Sequence, residues 1–200
     1  MIAIVDYGAG NIKSVANVFT KLGADFMVTS DPQVIAKSKA CVFPGVGAAG
    51  FTMQALKERG LDNAVRRAAD SGKPFLAVCV GMQTLFSHSQ EDNATCLDIF
   101  KGTAQHFAPN LKSPQIGWNQ VHFTKDCPLF EGISNDSYFY FVHSYYCVPT
   151  KPSLTCATSD YGITYTSAIW QDNVYAVQFH PEKSGFNGIK IYYNFIKQVK

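Results

Sequence analysis

A cysteine stands at the end of one apolar run, Phe75-Leu76-Ala77-Val78-Cys79-Val80-Gly81-Met82-Gln83. A strand that stops at Cys79 and gives way to a helix near Gly81 is the cysteine form of a nucleophile elbow, whose tight turn lifts the side chain above the carboxyl edge of a sheet. The small residues Ala77 and Gly81 leave room for that turn. The N-terminus of the following helix favours thiolate over thiol. Its first N–H, from Val80, can face an oxyanion formed beside the sulfur. Such a thiol carries out acyl transfer when a base stands next to it, and a second run supplies one: Val177-Gln178-Phe179-His180-Pro181-Glu182-Lys183. Pro181 ends any regular ladder at His180, which puts His180 and Glu182 on a turn at a strand end. A carboxylate two residues from a histidine can hold one imidazole nitrogen while the other trades protons with a nucleophile. A third run, Pro44-Gly45-Val46-Gly47, frees backbone N–H groups for the other half of an oxyanion hole.

These runs need a frame, and the first 90 residues alternate short β-branched runs with helical patterns. Met1–Asp6 reads as a buried strand ending at a Gly-rich turn, Tyr7–Gly10. Asn11 can cap the helix that follows, in which Ile12, Val15, Ala16, Phe19 and Leu22 recur at helical spacing. Phe26–Thr29 is a second strand, and Asp31-Pro32 opens a short helix. Cys41–Phe43 is a third strand. A helical stretch over Thr52–Ser71, broken near Gly60, leads to a fourth strand, Phe75–Val78, and a helix from about Gly81 to Phe86. Strand–helix alternation predicts a parallel sheet with helices on both faces. Runs apolar throughout predict strands covered on both sides.

From Lys101 the pattern changes to strand-like segments at Gln120–Phe123, Tyr138–Phe141, Tyr145–Val148, Thr166–Trp170 and Val174–Gln178, before a C-terminal helix over Asn187–Val199. The expected architecture is α/β: a single domain over residues 1–200, with a doubly wound, mostly parallel sheet of flavodoxin-like type. Antiparallel strands are added in the second half.

Composition narrows the function classes. Of 200 residues 46% are hydrophobic, ample for a core, and 17 Lys plus Arg against 15 Asp plus Glu leave a net charge of +2. That balance argues against a nucleic-acid or anionic-membrane surface. No apolar run reaches the roughly 18 residues of a membrane helix. Asp6 interrupts the first apolar stretch with no basic lead-in, unlike a secretory signal. The six cysteines (41, 79, 96, 127, 147 and 156) contain no CxxC pair, so neither a zinc site nor a disulfide framework is expected. The reading is a reduced, cytoplasmic protein without metal or cofactor. The five cysteines other than Cys79 are structural, and His88, His106 and His122 lie in loops or on strand surfaces.

The elbow Cys79-Val80-Gly81-Met82-Gln83, the upstream Pro-Gly-Val-Gly and the downstream Phe-His-Pro-Glu-Lys together resemble the class I (triad) glutamine amidotransferases. Within that family, Asp6-Tyr7-Gly8-Ala9-Gly10-Asn11, Ile116-Gly117-Trp118-Asn119 and Phe141-Val142-His143-Ser144-Tyr145 are similar to segments of the glutaminase subunits of imidazole glycerol phosphate synthases. The resemblance runs the length of the chain. It implies hydrolysis of L-glutamine through a thioester, with Cys79 as nucleophile, His180 as base and then acid, and Glu182 as the orienting carboxylate. Backbone N–H groups from Val46, Gly47 and Val80 would hold the oxyanion. Gln83, Glu91, His143 and Ser144 would line the glutamine subsite, Glu91 suiting the α-ammonium. Two departures are Ala77, where the family usually has Gly, and Val80, where Leu is common.

Ammonia freed into neutral water is mostly protonated and no longer a nucleophile, so a nitrogen-supplying glutaminase needs a protected exit. The resemblance implies a separate cyclase subunit of (β/α)₈-barrel form over the active-site face, in histidine biosynthesis. Asn11, Ser14, Trp118, Tyr140 and Lys183 are the candidate docking residues, and Gly45–Gly47 is a flexible segment able to gate the oxyanion hole. Two other readings stay open. One is a paralogous ammonia donor for another synthase, such as a sugar amidotransferase. The other is a non-catalytic scaffold or thiol stress protein with a reactive elbow cysteine.

Overall fold

The computed structural model describes residues 1–9 and 11–199. Gly10, the last residue of the expected Gly-rich turn, and the terminal Lys200 lie outside the described residues. Strands β1 (Ile2–Val5), β2 (Phe26–Thr29), β3 (Ala40–Gly45) and β4 (Phe75–Cys79) alternate with helices α1 (Ile12–Lys21), α2 (Pro32–Lys37), α3 (Ala49–Glu58) and α4 (Asp62–Asp70). Helix α5 (Val80–Thr84) starts directly after Cys79. Beyond it come β5 (His88–Ser89), β6 (Ala94–Thr95), β7 (Gly102–His106), β8 (Gln115–Phe123) and β9 (Ser137–His143). Then follow β10 (Tyr145–Pro149), β11 (Thr155–Asp160), β12 (Thr164–Gln171), β13 (Val174–Val177) and α6 (Gly185–Lys197).

The sheet runs β2-β1-β3-β4-β13-β12-β10-β7-β5-β6. Its first five strands are mutually parallel, and β12 turns the sheet antiparallel beside β13. A hairpin of β8 and β9 joins this path through β11. The two faces carry separate apolar layers. On one, Val15 and Phe19 of α1 meet Ile191, Tyr192 and Phe195 of α6, the Phe19 and Tyr192 rings edge to face at 5.3 Å. On the other, Ile35, Met53, Leu56, Val65 and Met82 cover the sheet from α2 to α5. This is the doubly wound α/β arrangement with antiparallel additions.

Several local expectations change. Strand β2 is the sheet's edge, so its apolar run is not covered on both sides, and Met27 remains 46% exposed. The helical stretch expected over Thr52–Ser71 starts earlier, at Ala49, and breaks as expected near Gly60, which takes φ +67°. Asp31 caps α2 as expected, Oδ1 accepting from Gln33 N–H at 2.7 Å. Asn11, in contrast, precedes α1 without a side-chain cap. Its amide reaches across the molecule instead, donating to Glu182 at 3.3 Å. The helix expected to start at Gly81 begins at Val80 and is little more than one turn.

Two glycines let backbones approach where a side chain could not follow. A Cβ on Gly81 would overlap the Phe43 carbonyl of β3, and a Cβ on Gly188 of α6 would overlap the Pro181 carbonyl. Both neighbours are main chain, which cannot rotate away. Gly81→Ala and Gly188→Ala should therefore each lower stability by about 1–3 kcal/mol, seen as a fall of several degrees in thermal midpoint. An unchanged midpoint in either variant would show that the backbone can yield there.

Candidate active site

The elbow is built by strand pairing and close packing. Ladder partners Gly45 and Cys79 sit side by side at the carboxyl ends of β3 and β4. Cys79 takes φ +55° and ψ −113°, a conformation costly for any residue with a Cβ and one that concentrates at functional sites. Gly45 makes the turn possible, because a Cβ there would overlap the Gly81 amide nitrogen and crowd Val80. Gly45 is thus clamped by the elbow and is not the flexible residue expected; Gly47, at φ +96°, is the one with open space around it. Ala77, where the family usually has Gly, lies inside β4 between Phe43 and Ala176, and its methyl is part of the buried core.

His180 and Glu182 follow β13 on a one-turn helix over Pro181–Lys183. Imidazole Nδ1 donates to Glu182 Oε1 at 2.8 Å, both side chains being 1% exposed. Because a carboxylate only accepts, this bond fixes the Nδ1 proton and aims Nε2 elsewhere. Nε2 is buried with no hydrogen-bond partner among the described residues. Burial opposes the charged imidazole, but the neighbouring Cys79 sulfur and the Glu182 carboxylate outweigh it and push His180 up to about 10. Burial also opposes the charged carboxylate of Glu182. The hydrogen bond and charge of His180, with help from Asn11, prevail and hold it below the usual range. Tyr192 of α6 closes the far side, donating to Oε2 at 3.2 Å.

The turn is also tied to β9. His180 N–H donates to the Tyr140 carbonyl at 2.9 Å. The Ser184 hydroxyl accepts from Tyr140 N–H at 2.9 Å and donates to the His180 carbonyl at 2.7 Å.

Cys79, His180, Val46, Gly47, Val80, Gln83, Glu91, His143 and Ser144 all line one cavity of about 520 Å³, as do Asn11 and Lys183. Glu182 stands behind His180. Ser14, Trp118 and Tyr140 lie outside the cavity. Trp118 is 55% exposed and meets Tyr140 edge to face at 6.1 Å, while Lys183 sits over the other side of this rim with its Nζ 5.8 Å from the Tyr140 ring. As the first residue of α5, Val80 has an amide without an intrahelical acceptor.

Three of the cavity residues are also held by the protein. Glu91 Oε2 accepts from Ala49 N–H at 2.7 Å, leaving Oε1 for a ligand. Burial raises Glu91, against the pull of that bond. Gln83 spends both N–H groups inside, on the Tyr145 carbonyl at 2.9 Å and on Gln178 Oε1 at 3.0 Å. His143 gives its Nδ1 proton to the same Tyr145 carbonyl at 2.8 Å and packs Nε2 against Gln115 and Tyr165. Burial drives this ring down to about 4, so it stays neutral. Both its nitrogens are engaged, and it walls the cavity without offering a free ring nitrogen.

Sequence reasoning missed Gln178, Tyr192 and the carboxylate contact of Asn11. Gln178 carried a signal, since a fully buried polar residue one step past an apolar strand must find polar partners. Tyr192 and Asn11 had none, because each acts through an element far away in the chain.

Comparison with known proteins gives the same picture. The family model for class-I glutamine amidotransferases matches residues 3–199. The chain is 49% identical over 200 residues to imidazole glycerol phosphate synthase subunit HisH of Dehalococcoides mccartyi (strain ATCC BAA-2266 / KCTC 15142 / 195), covering 100% of this chain and 98% of that protein. It is 47% identical to the subunit of the same name from Methanothermobacter thermautotrophicus, covering 100% of both. Among solved structures, PurLQS from Thermotoga maritima superposes with a TM-score of 0.76 at 15% identity, covering 100% of this chain and 98% of that one. The glutaminase domain of Trypanosoma brucei CTPS with bound acivicin gives 0.67 at 15% identity, covering 98% and 93%. These two likenesses concern the fold, whereas the family match and the full-length relatives concern descent: the chain belongs to the class-I glutamine amidotransferase family.

Proposed function

We propose that this chain hydrolyses L-glutamine to glutamate and ammonia through a thioester on Cys79. The ammonia passes to a cyclase subunit that forms imidazole glycerol phosphate and an aminoimidazole carboxamide ribotide in histidine biosynthesis. The observation that carries the chemistry is the His180–Glu182 pair, its second imidazole nitrogen buried and unpartnered in the cavity that holds Cys79. The pathway rests on full-length relatives that each bear the name of the same synthase subunit. No observation favours the sugar amidotransferase reading.

In the reaction Cys79 gives its proton to His180 Nε2 and its sulfur attacks the side-chain carboxamide carbon, and the resulting oxyanion rests on N–H groups of Val80 and of the Val46–Gly47 segment. His180, whose proton is held tightly, gives it to the departing ammonia. Neutral again, the imidazole takes a proton from water, which attacks the thioester; the electron pair of the C–S bond returns to sulfur as glutamate leaves. Glu182 keeps the ring turned with Nδ1 away from the sulfur. The free oxygen of Glu91 suits the substrate's α-ammonium, while Gln83, His143 and Ser144 shape the remainder of the subsite.

The barrel partner would sit over Trp118, Tyr140 and Lys183, with Asn11 and Ser14 at the adjoining end of α1. Trp and Tyr are enriched at such surfaces. Ile116, Tyr138 and Phe186 extend the exposed apolar area. No helix among the described residues is long and apolar enough to cross a membrane, and a cytoplasmic location fits a biosynthetic pair of this kind. A gate confined to Val46–Gly47 would let the partner control the oxyanion hole, since turning one peptide exchanges a carbonyl for an N–H.

Ammonia release from glutamine, measured with and without a cognate cyclase and its acceptor ligand, tests this reading. Turnover should rise sharply in the complex, and Cys79→Ser should abolish it while leaving the two subunits co-purifying. Equal turnover for the lone chain and the complex would remove the gate, and ammonia release by Cys79→Ser would remove the thioester.

Glu182→Gln should lower turnover by about a hundredfold or more, as loss of an orienting carboxylate does elsewhere. It should also change the pH dependence of stability. His180 binds its proton more tightly folded than unfolded, so its contribution is complete below about 6.5 and is lost as pH rises through about 10. In urea unfolding between pH 7 and 10.5, the variant should lose less stability than the parent; parallel curves would contradict the assignment.

A further inference from the structure

The fully buried Gln178 belongs to neither apolar core and has no place in the triad. The ladder between β4 and β13 pairs Val78 with Val177, so the next residues along, Cys79 and Gln178, end side by side. Val177 and Phe179 face the α1–α6 layer and Ala176 the α5 layer. Gln178 therefore turns toward α5, where Gln83 waits.

The hydrogen bonds around it have a fixed direction. The Tyr145 carbonyl can only accept, and it receives Gln83 Nε2 at 2.9 Å and His143 Nδ1 at 2.8 Å, filling both lone pairs. The Gln83 nitrogen must face that carbonyl, and its second hydrogen reaches Gln178 at 3.0 Å. Gln178 must meet it with oxygen, which leaves its own nitrogen 3.5 Å from the Cys79 sulfur. A main-chain carbonyl thus dictates, through two amides, that a donor faces the sulfur. The thiol's own acceptor, the Val142 carbonyl, is farther off at 4.0 Å.

We propose that Gln178 is a catalytic residue, an N–H donor to the Cys79 sulfur that Gln83 and the Tyr145 carbonyl hold in one orientation. It rests on the assignment of Cys79 as nucleophile. The donor favours the sulfur as an anion before attack. It favours the anion again when the thioester breaks and the C–S electron pair returns to sulfur, while the proton of the attacking water goes to His180. An oxygen in that place would repel the anion at both stages.

Alkylation of Cys79 by iodoacetamide, read from the mass of its peptide, tests this without glutamine turnover. A silent glutaminase would therefore count against the proposed function and leave this measurement intact. A hydrogen bond to an ion contributes about 1.5–3 kcal/mol, which corresponds to at least about tenfold in the equilibrium constant for ionisation. Gln178→Met should therefore slow alkylation about tenfold at pH 7, and Gln178→Glu more. At pH 11, where cysteine thiols in general are ionised, all rates should converge. Equal rates at pH 7 would overturn the proposal. So would a loss of the same size at both pH values, since that is the mark of disturbed packing. If Gln178→Met fails to fold, Gln83→Met, which frees the Gln178 amide to turn over, should give a smaller fall at pH 7 only. No fall there would overturn the proposal equally.

Discussion

The parallel pairing of β13 with β4 is the interaction on which the site depends. Strand β13 enters the sheet between the parallel half and the antiparallel half. Its register against β4 makes neighbours of residues far apart along the chain. Every functional group that follows β13 inherits its position from that ladder. A shift by one residue would turn Gln178 into the wrong layer and carry the His180 turn with it. The glycines beside the elbow serve the same end, because β3 and α5 can only seat Cys79 at this edge if nothing but hydrogen projects between them.

Electrostatics then separates side chains of the same kind. His143 and His180 both lie in a largely desolvated place, yet one is driven down to about 4 and the other up to about 10. Their partners account for the difference. His143 is driven down chiefly by burial, with the charge of the neighbouring His180 adding to it, and the pull of the Tyr145 carbonyl the other way does not prevail. His180 has a carboxylate on one side and a sulfur on the other, and their combined field exceeds the penalty of burial. The fold thus keeps one imidazole as a neutral wall and the other as a proton carrier. Glu182 can remain charged out of water because three donors surround it: His180, Asn11 and Tyr192.

Much of this was legible in the sequence where local patterns carry the physics. The α/β alternation showed through apolar runs and turn residues, and the two strand ends bearing Cys79 and His180 were marked by Gly81 and Pro181. What local pattern omits was not legible. Nothing in Phe26–Thr29 says that it lies at an edge, since edge position belongs to the sheet as a whole. Strand β11, Thr155-Cys156-Ala157-Thr158-Ser159-Asp160, is not among the expected strands, since its polar residues mark no apolar run and its pairing is with β12 and β8. Asn11 has the composition of a helix cap, but its side chain caps nothing in its own helix and its amide N–H donates to a buried carboxylate instead. The directed chain of amides from Tyr145 to Cys79 depends on contacts between three separate segments.

Ser184 gives the molecule a mechanical property as well as a chemical one. Its hydroxyl and the His180 amide form two short bridges between the turn that bears the imidazole and the strand that bears Tyr140, whose ring lies against the exposed indole of Trp118. A load on that outer aromatic pair has a short route inward, through the Tyr140 main chain and the Ser184 hydroxyl. The outer aromatic pair and the reacting centre are thus joined through one strand and one turn.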